Sequence, residues 1–392
     1  MYHHTVFSRL LEELPRSVVR KAVARRGTDK HCKGFSSWSH LVTMVFAQVS
    51  GAKSLREIEA GFNHSPEQHY HLGAGKVCRS TLAEANQRRD PQLFADMCQF
   101  LMQRLGRKQR RELGELLYLM DASYLHLSGR GYDSWIKEHR NIHAQDLKLH
   151  VMLSADSATP VVARVTDPNI NDIIEGKHMP IEAGATYVFD KAYTDFDWWH
   201  DIHQQGAFFV TRFKASARFL LEKDCPRASS QGHKEILADE QVRLATQRIG
   251  NGKPNPFHKQ PLRRILVQRE GNQVPMCLAT NDMVSPAHTI AGHYKARWGI
   301  ELFFKWIKQH LKIKRFVGQS RNAVTIQIYT ALIAYLLLQL SHMATAGKVS
   351  LKSHLAGIRF RLFQRPETEY AMYKRRRKRQ QELEKLQGQL AL

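Results

Sequence analysis

Tyr294, Arg297, Glu301 and Lys308 recur along one segment, Tyr294-Lys-Ala-Arg297-Trp-Gly-Ile-Glu301-Leu-Phe-Phe-Lys-Trp-Ile-Lys308. At about 100° per residue they fall within an arc of roughly 60°, and Lys305 and Lys312 join it. The remaining circumference carries Trp298, Ile300, Leu302, Phe303, Phe304, Trp306 and Ile307. A surface helix normally has a broad polar face; here the charged stripe is the narrow part. The spacing therefore predicts one helix packed on most sides, its charges lining a cleft. A carboxylate flanked by Arg and Lys in a cleft suits a metal-assisted reaction on a polyanion.

Two further carboxylates stand out. Asp121 closes the apolar run Leu116-Leu-Tyr-Leu-Met120, and Asp190 closes Thr186-Tyr-Val-Phe189. Either alone reads as a turn or helix cap. As a pair, on strands that could lie side by side, they bring two acids together, and Glu301 supplies a third. Mg²⁺ prefers such oxygen ligands and leaves positions for a substrate phosphate. Two ions, Mg²⁺ or Mn²⁺ in its place, about 3.5–4 Å apart can activate an attacking oxygen and stabilise the leaving one. Asp156, Asp167, Asp195 and Asp197 lie near enough in sequence to be rival ligands.

The elements that must position these groups change character along the chain. Residues 1–112 read as a helical N-terminal DNA-binding domain. Its helices are Phe7 to Leu14 and Val18 to Arg25, broken at Pro15, then Trp38 to Val49, then Leu55 to Phe62 behind a Ser54-x-x-Glu57 capping box. A further helix runs through Ser80-Thr-Leu-Ala-Glu-Ala-Asn-Gln-Arg-Arg89, with Ser80 or Thr81 as N-cap. Two short helices, a turn and this basic third helix resemble a helix-turn-helix arrangement, with Arg79, Arg88 and Arg89 toward DNA. Residues 113–212 alternate strands and short helices, which suits an α/β mixed sheet with flanking helices. Residues 213–286 form a β-rich insertion with strands at Val242–Arg248, Leu262–Arg269 and Val274–Thr280, and a loop at Cys225-Pro-Arg-Ala-Ser-Ser-Gln-Gly. Residues 287–345 hold the charged-stripe helix, and 346–392 a basic helical tail with Tyr373-Lys-Arg-Arg-Arg-Lys-Arg379.

Composition narrows the partner. The chain has 392 residues, with 59 Lys and Arg against 36 Asp and Glu, a formal charge of +23. Such an excess points to a polyanionic partner, most often nucleic acid, with a ribosome-associated protein or an anionic-membrane binder as the plainer alternatives. The five cysteines, Cys32, Cys78, Cys98, Cys225 and Cys277, are widely spaced with no CxxC pair, so neither a zinc ribbon nor a disulfide scaffold is indicated. They read as reduced thiols of a cytoplasmic protein. His200-Asp-Ile-His203 and His69-Tyr-His71 lack matching ligands and read as surface histidines. No signal peptide is expected. The apolar window Ala323–Leu340 is interrupted by Thr325, Gln327, Thr330 and Gln339, so it reads as a core helix, with no membrane partner.

Tyr294-x2-Arg297-x3-Glu301-x6-Lys308 resembles the Tyr-Arg-Glu-Lys signature of insertion-sequence transposases of the IS-four family. Asp190-Lys-Ala-Tyr193 resembles that family's second-Asp motif, Met120-Asp121-Ala-Ser its first, and Ser80-Thr-Leu-Ala-Glu-Ala-Asn its N-terminal region. The similarity spans about residues 30 to 345. It implies a ribonuclease-H-like core interrupted by a β insertion, with Asp121, Asp190 and Glu301 binding two Mg²⁺. Tyr294, Arg297 and Lys308 would hold DNA phosphates near the cleaved end, and Lys305 shares their stripe. It further implies cleavage of double-stranded DNA at the element's terminal inverted repeats and joining of 3′-hydroxyls to target DNA, by a homodimer in the DNA complex, in a bacterial, nucleoid-associated setting. Some members pass through a hairpin with a flipped base in an aromatic pocket, a role open to Trp298, Trp306 or an aromatic in the insertion, for each of which packing is the plainer reading. The alternative is a non-catalytic sequence-specific DNA-binding protein, such as a degenerate transposase or repressor.

Overall fold

The computed structural model describes residues 4–109, 116–136, 145–224, 233–271, 273–345, 349–366, 371 and 374–383. Contacts divide the chain into two compact units, Met1–Leu101 with Ile307–Leu392, and Met102–Trp306.

The first unit opens with α1 (Val6–Leu11), α2 (Arg16–Arg26), α3 (Ser37–Ser50), α4 (Leu55–Asn63), α5 (His69–Leu72) and α6 (Arg79–Arg88), followed by α7 (Gln92–Gln109), in which the chain passes into the second. Local chemistry sets these bounds. Ser36 caps α3 by accepting from Ser39 N at 3.1 Å, and Gly51, at φ +83°, ends it in a left-handed turn that an L side chain rarely adopts. Ser54 caps α4 as expected, its Oγ accepting from Glu57 N at 3.2 Å, while the Glu57 carboxylate reaches one residue past the cap and accepts from Lys53 N at 2.8 Å, a variant of the expected capping box.

Three expectations need correction here. Helix α6 begins at Arg79, so neither Ser80 nor Thr81 is its N-cap; Glu59 Oε1 of α4 accepts the Arg79 amide at 3.2 Å instead. His69 is not a surface residue. Its ring stacks on Phe62 at 4.8 Å and its Nε2 lies 2.9 Å from the Phe62 carbonyl, so it is a buried packing histidine. Arg89 does not stand out toward solvent: its guanidinium donates to the Phe35 and Ser36 carbonyls and lies 5.4 Å over the Phe35 ring.

The second unit is built on one nine-stranded mixed sheet. In chain order it runs β1 (Leu117–His126), β2 (Asp146–Ser154), β3 (Thr159–Thr166), α8 (Asp172–Gly176), β4 (Thr186–Phe189), α9 (Phe196–Gln204), β5 (Phe208–Arg212), β6 (Phe219–Asp224), β7 (Ile236–Leu244), β8 (Leu262–Val267), β9 (Met276–Thr280), α10 (Ala287–Ala296) and α11 (Trp298–His310). The spatial order is β3-β2-β1-β4-β5-β9-β8-β7-β6, with β1, β4 and β5 parallel. The β-rich segment thus extends the sheet: β9 pairs antiparallel with β5 through Val210↔Thr280. Strand β7 lies earlier than Val242–Arg248 because the chain turns back after Leu244, where Arg248 and Pro254 form an isolated bridge. The Cys225 loop lies outside the described residues. Tyr187, Phe189, Trp199, Phe209 and Phe257 form the centre of this unit's core.

Two helices return to the first unit: α12 (Arg321–Ala344) and α13 (Leu351–Arg361). Helix α12 packs against α3, α6 and α13. It is long and apolar enough to cross a membrane, yet its most apolar window is 89% buried within the fold. Its polar interruptions are satisfied. Gln327 Oε1 accepts from Val317 N at 2.9 Å, its Nε2 donates to the Arg315 and Lys312 carbonyls, and Thr330 donates to Ile326 O at 2.6 Å. In the tail, residues 374–383 are helical and exposed; Tyr373 lies outside the described residues.

Candidate active site

Strands β1 and β4 run parallel, in register from Leu117↔Thr186 to Met120↔Phe189. The next residue on each strand is an aspartate, so Asp121 and Asp190 occupy neighbouring positions on adjacent strands, which lie about 4.8 Å apart. Asp190 ends β4 and caps the 3-10 turn Lys191–Tyr193, its Oδ1 accepting from Lys191 N at 2.5 Å. Asp121 does not end its strand, a departure from expectation. Pairing with β2 carries β1 on to His126↔Asp146, while its pairing with β4 stops at Met120. Asp121 therefore sits where the parallel neighbour leaves the sheet, on a strand held rigid by its other edge.

The charged-stripe segment is two helices rather than one. Helix α10 stops at Ala296, Arg297 occupies a turn, and α11 starts at Trp298. Gly299 explains the close approach of α11 to β1: a Cβ there would meet Leu119 Cδ1 at 3.3 Å. Nor is α11 packed on most sides. Ile300, Phe303, Phe304 and Ile307 are buried at one-face helical spacing, whereas Trp298 and Leu302 are 59% and 50% exposed.

Arg297 joins the acids. Its Nη2 lies 2.6 Å from Glu301 Oε1, one turn along, and its Nη1 lies 3.6 Å from Asp121 Oδ2. Arg212, at the end of β5, donates to Asp190 Oδ1 at 3.0 Å. Tyr294 is buried, and both guanidinium carbons lie 5.9 Å from its ring centroid. Tyr294, Arg297, Asp121, Asp190 and Glu301 thus belong to one cluster. Lys305 is exposed on α11, and Lys308 follows Glu301 by two turns of that helix. In the first unit, Arg79 and Arg88 are exposed, and Arg88 pairs with Glu84 at 2.7 Å.

The two aspartates differ electrostatically. Burial pushes the Asp121 carboxyl up to about 6, and the negative charges of Asp172 and Glu301 add to the rise against the Ala122 amide and Arg297. Burial works upward on Asp190 too, but the Arg212 hydrogen bond, the Lys191 amide and the nearby guanidinium charges hold it below its ordinary value.

Sequence reasoning missed Arg212 and a buried group beside Asp121. Lys148 Nζ on β2 lies 2.7 Å from Asp172 Oδ1, and His150 Nε2 lies 2.9 Å from Thr166 Oγ1. Burial pushes the His150 imidazole down to about 4, so it is neutral near pH 7. The alternation Leu147-Lys-Leu-His-Val carried the signal, two titratable residues on one face of a strand. The rival acids lie elsewhere in role: Asp195 caps α9 and pairs with Lys177 at 2.6 Å, Asp197 stands 3.6 Å from Lys253, and Asp156 is in the β2–β3 turn.

Among the described residues no group of three or more His, Cys, Asp or Glu side chains is arranged to hold a metal ion. The donor chemistry nevertheless suits a hard divalent cation, since all three acids present carboxylate oxygens. A positive charge, the Arg297 guanidinium, already stands against two of them.

Comparison with known proteins gives the context of this cluster. The family model described as "Transposase DDE domain" matches residues 112–337, and one described only as a domain of unknown function matches residues 2–75. "Putative transposase y4zB" of Sinorhizobium fredii is 40% identical over 262 residues, 66% of this chain and 70% of that protein. "Probable transposase for insertion sequence element IS5377" of Geobacillus stearothermophilus is 30% identical over 193 residues, 49% of this chain and 48% of the relative. A solved piggyBac transposase synaptic complex with hairpin DNA is similar at a TM-score of 0.46 and 10% identity, covering 91% of this chain and 78% of that one.

Proposed function

The chain belongs to the transposases with a DDE domain, and from that premise we propose that it cuts the ends of its own insertion sequence and joins the 3′-hydroxyls to target DNA. The family generally uses divalent metals, and in our reading Asp121, Asp190 and Glu301 hold two Mg²⁺, or Mn²⁺ in their place, in a ribonuclease-H-like core of the IS-four kind. When bound, such a pair activates the attacking oxygen and stabilises the leaving one.

The chain's own residues do the rest. Arg297, half-buried between Asp121 and Glu301, would turn a donor toward a phosphate oxygen as the acids take up cations. Tyr294, packed between Arg212 and Arg297, orients both guanidinium groups. Lys305 and Lys308 extend positive charge along α11 toward the DNA backbone, and Arg79 and Arg88 would contact DNA from the N-terminal helices. Arg89, engaged with two carbonyls, supports its loop instead. The substrate is double-stranded DNA carrying terminal inverted repeats, the DNA complex a homodimer, and the setting the bacterial cytoplasm.

The observation that supports this reading most is the shared cluster of Asp121 and Glu301 on one guanidinium, with Asp190 the next residue on the adjacent strand. The test mixes the protein with linear DNA carrying the sequences that flank its gene, a plasmid target and Mg²⁺, then sequences the junctions. Joined 3′ ends at fixed positions are expected; intact DNA under both Mg²⁺ and Mn²⁺ would reject the enzymatic reading.

A further inference from the structure

A cavity of about 520 Å³ opens beside the turn that follows Asp190, between the start of α9, the segment after β5 and the segment after β7. That volume lies in the range of small-ligand clefts, roughly 300–1,000 Å³. Its walls carry five cations, Lys177, Lys214, Arg218, Arg248 and Lys253, against two carboxylates, Asp195 and Asp197. Both acids are matched: Lys177 lies 2.6 Å from Asp195, and Lys253 lies 3.6 Å from Asp197. Arg248 donates to the Gly252 carbonyl at 3.1 Å and makes no ion pair among the described residues. Lys214 and Arg218 are exposed and make no side-chain hydrogen bond or ion pair among the described residues. Phe196, Phe213 and Leu244 supply apolar surface below these charges.

Excess positive charge over an apolar base is the arrangement that takes a phosphate attached to something flat or greasy. We propose that this cavity seats consecutive backbone phosphates of one DNA strand, with Lys214 and Arg218 as their direct partners. Thr194, four residues after Asp190, is part of the lining, so a strand held here would lie next to the turn that carries the second acidic residue. The inference rests on the transposase reading and adds a second foothold to it, built by the β-rich extension rather than by the charged stripe of α10 and α11.

The experiment measures binding of the full chain to a labelled duplex taken from the DNA flanking its gene, across a salt series. For Lys214→Ala/Arg218→Ala the slope of log affinity against log salt is expected to fall by about 1.8, two phosphate contacts at about 0.9 each. Ethylation interference should lose neighbouring phosphates on one strand only. Lys214→Arg/Arg218→Lys keeps the charge and should keep slope and footprint. Thermal melting of each variant, equal to wild type for these exposed positions, separates lost contacts from lost fold. A wild-type slope in the Ala variant, or losses scattered over both strands, overturns the cavity assignment. So does competition by inorganic phosphate that leaves the DNA slope untouched, which would mark a small-anion site. A wild-type chain that binds no DNA would instead overturn the transposase reading itself.

Discussion

Arg297 Nη2 lies 2.6 Å from Glu301 Oε1 across the turn that separates α10 from α11. The break in the helix leaves this contact, and the shared face, in place. Arg297 keeps a right-handed helical backbone, φ −50° and ψ −33°, so the i, i+4 relation survives while the axis is released. The same guanidinium reaches Asp121 on β1, so one cation stands against two acids brought from positions far apart in the chain.

Removing that cation separates two effects. In Arg297→Gln, Asp121 and Glu301 lose a positive neighbour, and divalent-ion binding should tighten, read by Mn²⁺ electron paramagnetic resonance. Strand cleavage should nevertheless fall by about a hundredfold or more, the loss typical of one transition-state donor. Weaker Mn²⁺ binding by the variant would contradict the placement of Arg297.

The two aspartates should respond to pH with opposite signs. The folded-state pKa of Asp121 is raised, so its contribution to stability is fully present below its ordinary value of 3.8 and is lost as pH rises through about 6. Asp121→Asn escapes that loss and should be more stable than wild type at pH 7 in EDTA, by on the order of 3 kcal/mol at most. Asp190 is held low, so it contributes stability above its ordinary value that is lost as pH falls; Asp190→Asn should be less stable at pH 7. Melting curves at pH 4 and 7 decide it, and equal signs for the two variants would refute the assignment.

How far the site could be read from residues alone differs from part to part. Two short apolar runs each followed by Asp suggested that β1 and β4 could be neighbours, and their parallel pairing does stop at Met120↔Phe189, one residue before each aspartate, although β1 itself runs on to His126. The spacing of Tyr294, Arg297 and Glu301 was legible for the same reason that the turn is tolerated: one face persists through it. Arg212 was not. Its meeting with Asp190 depends on β5 lying beside β4, a pairing between Thr186↔Phe208 and Val188↔Val210 that no local pattern announces. Nor was the continuous sheet. Strands β6 to β9 carry loop-like interruptions in sequence, yet β9 joins β5 because Asn281 accepts from Phe209 N at 2.8 Å and fastens the strand end.

The segment that leads into α10 is held by a buried pair. Arg263 on β8 makes two bonds of 2.7 Å to Asp239 on β7 and donates to the Asp282 and Ser285 carbonyls. Arg263→Met leaves Asp239 charged and unpaired, which should cost about 3–5 kcal/mol in chemical unfolding. Arg263→Met with Asp239→Leu should recover most of that. No rescue by the double change would show that the carbonyl contacts, not the ion pair, dominate.

In the first unit Gln327 ties α12 to the loop before it. Gln327→Leu orphans the Val317 amide and the Arg315 and Lys312 carbonyls, and should destabilise the chain by about 1–3 kcal/mol. Denaturant titration reads this directly, and an unchanged midpoint would mean that water replaces the side chain.

The most direct test of the central claim is nick mapping on DNA carrying the element's own ends, comparing wild type with Asp121→Asn, Asp190→Asn and Glu301→Gln at matched DNA occupancy. The account predicts cleavage by wild type alone, with all three variants still bound to the DNA. Cleavage at wild-type rate by the three variants would contradict it.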